Sequence, residues 1–184
     1  MRTNVLVIIA VSSILMLGCR SSAINNDATK IDHLNKLISD RSYEINADWA
    51  FPLMTQGLTS LADSGLFMPG SNANRIDLMG NFNFLKVIGD SVAVSLPYFG
   101  ERRMGGGYGT IDNGINFSGI PNKYSVEWDE KKNRYQIKME VIQKTETLEF
   151  NISVFPSLKA DINVNSTHRT SISFTGDLKS ISGD

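Results

Sequence analysis

The chain has 184 residues, a formal net charge of -1, and a composition that is 41% hydrophobic and 20% charged. That is enough for one globular domain and a tether. The near-neutral balance excludes the basic footprint of a nucleic-acid binder and any general attraction to anionic lipid, so a membrane attachment needs a specific device.

The N-terminus supplies one. Arg2 gives a positive start, and Val5 to Leu17 is an apolar run broken only by Ser12 and Ser13. The run is too short to span a bilayer, which takes roughly 20 residues, but it fits a cleaved signal peptide over residues 1–18. Leu15-Met16-Leu17-Gly18-Cys19 resembles the lipobox of bacterial lipoproteins, with Met16 where leucine is usual. Acyl chains on Cys19 would give the lasting anchorage that a single chain does not. Cys19 is the only cysteine, so no intramolecular disulfide can form, and acylation would consume a thiol that is a liability in an oxidising compartment. A plain secretory signal beside a chance cysteine is the alternative. Position 20 is Arg rather than the aspartate that favours inner-membrane retention. The expected address is therefore the cell envelope, lipid-anchored to the outer membrane and facing the periplasm.

The predicted elements follow in order. Small polar residues from Cys19 to Thr29 read as the lipidated cysteine and a flexible tether. From Lys30 a single domain is expected to the end of the chain. Ile31, Leu34, Leu37 and Ile38 share one face of a short helix. Strands are then marked by period-two alternation. Tyr43, Ile45, Ala47 and Trp49 form one apolar face, and Phe82, Phe84 and Ile88 another. Gly89-Asp90 predicts a two-residue hairpin into Val92, Val94, Leu96 and Tyr98. Tyr124, Val126 and Trp128 lead through a polar turn to Tyr135, Ile137, Met139 and Val141. Leu148 to Val154, Ile162-Val164, and Ile172-Phe174 ending before Gly176 complete the set. Short strands without intervening long helices predict a mainly antiparallel β domain, a lipocalin-like barrel or half-open sandwich with one short N-terminal helix.

Two segments break the alternation. Thr55 to Asn74 reads as a long loop carrying Leu58, Leu61, Leu66, Phe67 and Met68. Gly100 to Gly114 holds Gly105, Gly106, Gly107 and Gly109 around Tyr108. Loops of that length in a compact domain are usually functional or disordered. The glycine run lacks the Lys-Ser/Thr and following helix of a phosphate loop. Arg102 and Arg103 just before it suit carboxylate or phosphate recognition, though paired arginines are commonly just solvated.

Chemistry is otherwise sparse. His33 and His168 are the only histidines, no spacing resembles a zinc or calcium site, and no nucleophile elbow occurs. The expectation is no catalytic constellation, no metal and no cofactor. Trp49, Tyr98, Phe99, Tyr108 and Trp128 could be core, or could line a pocket or its rim. With Arg102 and Arg103 they form the candidate ligand or partner surface.

Four stretches, in this order, carry a family resemblance: Ser95-Leu-Pro-Tyr-Phe-Gly100, Gly114-Ile-Asn-Phe117 with Pro121 after it, Val154-Phe-Pro156, and Ile172-Ser-Phe-Thr-Gly176. Over about Ile31 to Leu178 the chain resembles the domain of unknown function 4251 family, small exported proteins of Gram-negative anaerobes. Thr55 to Asn74 looks longer than the family's usual connection. The resemblance implies a lipocalin-type β domain behind a signal peptide, with no agreed activity and no catalytic residues to carry over. Asp90-Ser91-Val92 is similar to the O-glycosylation signal of this bacterial group, which makes Ser91 a possible acceptor.

Two functions are expected to compete. One is a non-catalytic module holding a small apolar or glycan-like ligand in a pocket lined by Trp49, Tyr98 and Trp128. The other is an envelope interaction module gripping a protein by a sheet edge or loop surface. A filled core with exposed apolar residues would favour the second.

Overall fold

The structure, a computed structural model, describes residues 28–65, 70–104, 114–143 and 145–181. The signal peptide, Cys19, most of the tether, Leu66 to Met68 and the glycine run with Tyr108 lie outside the described residues.

Helix α1 (Ala28–Asp40) buries Leu34, Leu37 and Ile38, the face expected from their spacing. Strands β1 (Ser42–Pro52), β2 (Ile76–Asp77), β3 (Phe84–Ile88), β4 (Ser91–Leu96), β5 (Ile115–Gly119), β6 (Lys123–Asp129), β7 (Arg134–Gln143), β8 (Glu146–Val154), β9 (Lys159–Ser166) and β10 (Ile172–Ser180) follow. A second helix, α2 (Gln56–Asp63), interrupts them after β1. The strands form one antiparallel sheet in the order β5-β4-β3-β1-β10-β9-β8-β7-β6, with β2 beside β1. The sheet curls into a half-barrel, as the alternation predicted.

Its two edge strands are consecutive in the chain, separated only by Ile120-Pro121-Asn122. One run of chain therefore pairs first with β4 and then, past a corner, with β7. Asn122 pins that corner. Its N–H donates to the Glu140 carbonyl (2.8 Å) and its side-chain oxygen accepts from the Ile142 N–H (2.9 Å).

The inner face is packed solid. Tyr43, Phe150, Phe174, Leu85, Ile137 and Ile152 are all fully buried. Burial of such side chains contributes about 1.5–3 kcal/mol each, and their interdigitation leaves the barrel filled. The Tyr43 hydroxyl crosses the interior to within 2.8 Å of that of Tyr124 on β6.

Four sequence expectations need correcting. A β-bulge shifts the β1–β10 register between Ala47 and Trp49. One extra residue reverses the faces that follow, so Ala50 is buried and Trp49 only partly so. Asn83 supports the bulge, its side-chain oxygen accepting the Ala47 N–H at 3.0 Å. On β3 the inward residues are Leu85 and Val87, while Phe82 is 92% exposed. The segment from Thr55 is not all loop: Thr55 caps α2 by accepting the Leu58 N–H. The last strand runs through Gly176, which lies opposite Ala47 at the bulge. A Cβ there would collide with the Asn46–Ala47 backbone.

Candidate interaction surface

One end of the half-barrel gathers the exits of β1 and β4, the entry of β5 and the turn between β9 and β10. That turn, residues 167–171, is built as a strap. The Leu53 N–H donates to the Ser171 carbonyl (3.3 Å), the Thr170 N–H to Glu101 (3.0 Å) and the Arg103 N–H to His168 (2.7 Å). Arg102 forms a β-bridge to Arg169. The start of the 100–114 segment is thereby stitched to the strap residue by residue. Helix α2 meets the same place: a Cβ on Gly57 would lie 3.0 Å from the Glu101 carboxylate.

Beneath the strap is a half-buried polar network. Arg169 is 7% exposed. Its Nη2 donates to Glu146 Oε2 at 3.0 Å, its Nε lies 2.8 Å from Glu146 Oε1, and its Nη1 donates to the Gly114 carbonyl at 2.7 Å. The guanidinium also sits 5.3 Å from the centroid of the Tyr98 ring, within cation–π range. Ser166 donates to Glu146 (2.6 Å) and accepts the N–H groups of His168 and Arg169. The Tyr98 hydroxyl is 2.8 Å from Thr170 Oγ1, which accepts the Glu101 N–H. Burial raises the Glu146 carboxyl's pKa, but Ser166 and Arg169 outweigh it and hold the group below its ordinary value. Such a network is rigid because leaving any buried member unpaired is costly.

The surface above it is apolar and basic. Leu53, Met54 and Met104 are 46%, 47% and 64% exposed, and Arg102 and Arg103 are exposed beside Met104.

The structure disperses the aromatics expected to share a pocket. Trp49 carries the Arg75 guanidinium 4.1 Å above its ring. Trp128 packs edge-to-face on Tyr135 at 4.9 Å, and the Tyr135 hydroxyl donates to Asn35 of α1. Tyr98 belongs to the network, and Phe99 packs half-buried against the core. Among the described residues, Tyr98, Phe99, Arg102 and Arg103 stay together. Ser91 is exposed at the start of β4. Sequence reading missed Arg169 and Glu146 because both stand in polar stretches that look like solvated turns. Among the described residues no cluster of His, Cys, Asp and Glu could hold a metal, and no helix is long and apolar enough to cross a membrane.

Residues 25–178 match the family described as domain of unknown function DUF4251. The chain belongs to the DUF4251 family. The crystal structure of a DUF4251 family protein from Bacteroides eggerthii is similar in fold, with a TM-score of 0.54 at 12% identity, covering 84% of this chain and 89% of that one. No curated protein matches the chain. DUF4251 membership thus establishes the half-barrel and leaves the activity to be argued from the surface.

Proposed function

We propose that this DUF4251 protein is a cell-envelope lipoprotein, anchored to the outer membrane through acylated Cys19. Its β domain is a non-catalytic module that grips another envelope protein. The gripping surface is the strap end: Leu53, Met54 and Met104 with Arg102 and Arg103. One observation carries this reading. Exposed apolar side chains flank two arginines on a foundation held by a buried ion pair, a mix typical of interaction surfaces. The chemistry fits a partner segment that presents apolar side chains beside carboxylates. The packed inner face argues against a ligand inside the barrel.

A second reading keeps the small apolar or glycan-like ligand but moves it to the opposite end. There an open pocket of ≈ 280 Å³ is lined by Arg41, Asp90, Val92, Ile120, Pro121 and Tyr124.

A photocrosslinking amino acid at Met104 and another at exposed Ile88, in the opposite end's hairpin, separate the readings in intact host cells. Discrete protein adducts at Met104 and none at Ile88 support the first. Adducts at neither position, with a retained small molecule in the purified protein, support the second. A Cys19→Ala variant that still fractionates with membranes would refute the anchor.

A further inference from the structure

We propose that β6 is a self-pairing edge, through which two copies of this chain join their sheets about a two-fold axis centred on Val126. The inference is independent of the strap-end surface.

The first observation is that the edge is long and regular. β6 pairs with β7 over seven consecutive positions without a bulge, and it is the last strand of the sheet. It contains no proline. Its inward residues Tyr124 and Val126 are only half-buried, whereas Met139 and Ile137 opposite them are buried; Trp128 and Tyr135 opposite it are both half-buried. Of the devices that protect such an edge, β6 lacks a bulge, a proline and an inward charge and carries only the charges Lys123, Glu127 and Asp129 on its outer face.

The second observation is the order of its charges. When a strand pairs antiparallel with its own copy, residues that meet must face the same side of the sheet. The two-fold must therefore fall on a residue. Centred on Val126, Lys123 meets Asp129 and Ser125 meets Glu127 on the outer face. On the inner face Tyr124 meets Trp128, and Val126 meets its own copy. By symmetry the Lys123–Asp129 and Tyr124–Trp128 pairs occur twice. Opposite-charge and aromatic cross-strand pairs are the favourable ones. Centring on Glu127 would set two glutamates face to face. Centring on Ser125 would bring Pro121, which has no N–H to donate, opposite Asp129. Only the Val126 register uses the whole strand without a conflict. The Lys123 side chain is 75% exposed and turned toward Glu140 at 3.0 Å, on the face where the partner's Asp129 would arrive. The contact is isologous, so it closes at two copies.

The test uses the full-length chain in detergent micelles, followed by sedimentation equilibrium. The wild type is expected to dimerise. Lys123→Asp and Asp129→Lys should each weaken the dimer about tenfold or more, because each turns two attractive pairs repulsive. The double variant should restore it, which a merely misfolded chain could not do. Val126→Cys should give a disulfide-linked dimer on mild oxidation, since paired strand positions lie within disulfide reach; the wild type, carrying only Cys19, sets the background. A wild type that stays monomeric would overturn the proposal. So would single swaps without effect, or a dimer that Val126→Cys fails to cross-link.

Discussion

The carbonyl oxygen of Gly114 accepts a hydrogen bond from Arg169 Nη1 at 2.7 Å. That contact ties the far end of the 100–114 segment to the strap that already holds its near end. Arg169→Met would keep most of the side-chain bulk and remove the charge. Glu146 would then stand largely buried without its cation. Breaking one side of a fully buried pair costs about 3–5 kcal/mol; Glu146 keeps some exposure, so urea unfolding followed by circular dichroism should show a loss of about 1–3 kcal/mol. A loss under about 1 kcal/mol would mean that the pair is not an anchor.

The same pair makes stability depend on acid. Glu146 has a folded pKa below its ordinary value of 4.5, so the folded state binds its proton less readily than the unfolded state does. Its contribution is complete above the unfolded value and is lost as the pH falls through the depressed folded value. Wild-type stability should therefore drop on acidification below about pH 4.5. Glu146→Gln, which has no such proton to bind, should flatten that part of the profile. Identical profiles for the two proteins would contradict the assignment.

At the alkaline end, the Tyr43–Tyr124 pair governs. Burial pushes Tyr43 well above its ordinary value of 10.0, with Tyr124 adding to the rise, and burial also raises Tyr124. Both folded values lie above the unfolded one. Their stabilisation is thus full below about pH 10 and is lost as the pH rises through the folded values. Ultraviolet titration should find these two phenols ionising only as the circular dichroism signal collapses. Tyr43→Phe should cost about 0.5–1.5 kcal/mol at neutral pH, the worth of one hydrogen bond. Tyr43 ionising near 10 in a folded protein would contradict the burial.

Gly176 stands where the β1 bulge presses closest to β10, and an added Cβ meets the backbone of Asn46 and Ala47. Gly176→Ala should destabilise by about 1–3 kcal/mol, as overpacked sites do, even though alanine ordinarily suits a strand better than glycine. An unchanged melting temperature would show that the bulge relaxes freely.

The half-barrel was legible because its strands alternate cleanly. Leu148 to Val154 and Tyr135 to Val141 fall on the faces that their spacing predicts. Failures came where one residue or one distant partner decided the outcome. The bulge before Trp49 depends on Asn83, thirty-six positions away. Phe82 and Phe84 look more like core than Leu85 and Val87 do, and only pairing with β1 and β4 selects the latter. Strand β5 was hidden behind the glycine run. Of the strap end, the sequence placed Tyr98, Arg102 and Arg103 together after β4, and the structure keeps them there. Arg169 and Glu146 were missed because burial of a charge pair is a fact of three dimensions, and the polar turns around both residues conceal it.

If the strap end grips a partner, Met104-site photocrosslinking in host cells, measured for the wild-type background and for Arg102→Glu/Arg103→Glu with the melting temperature of each, must depend on the two arginines. Both arginines are exposed, so the double variant should melt within a few degrees of wild type. Its protein adduct should fall at least about tenfold, as expected when two charge-assisted contacts become repulsive. An adduct of undiminished yield, from a protein with unchanged melting, would contradict it.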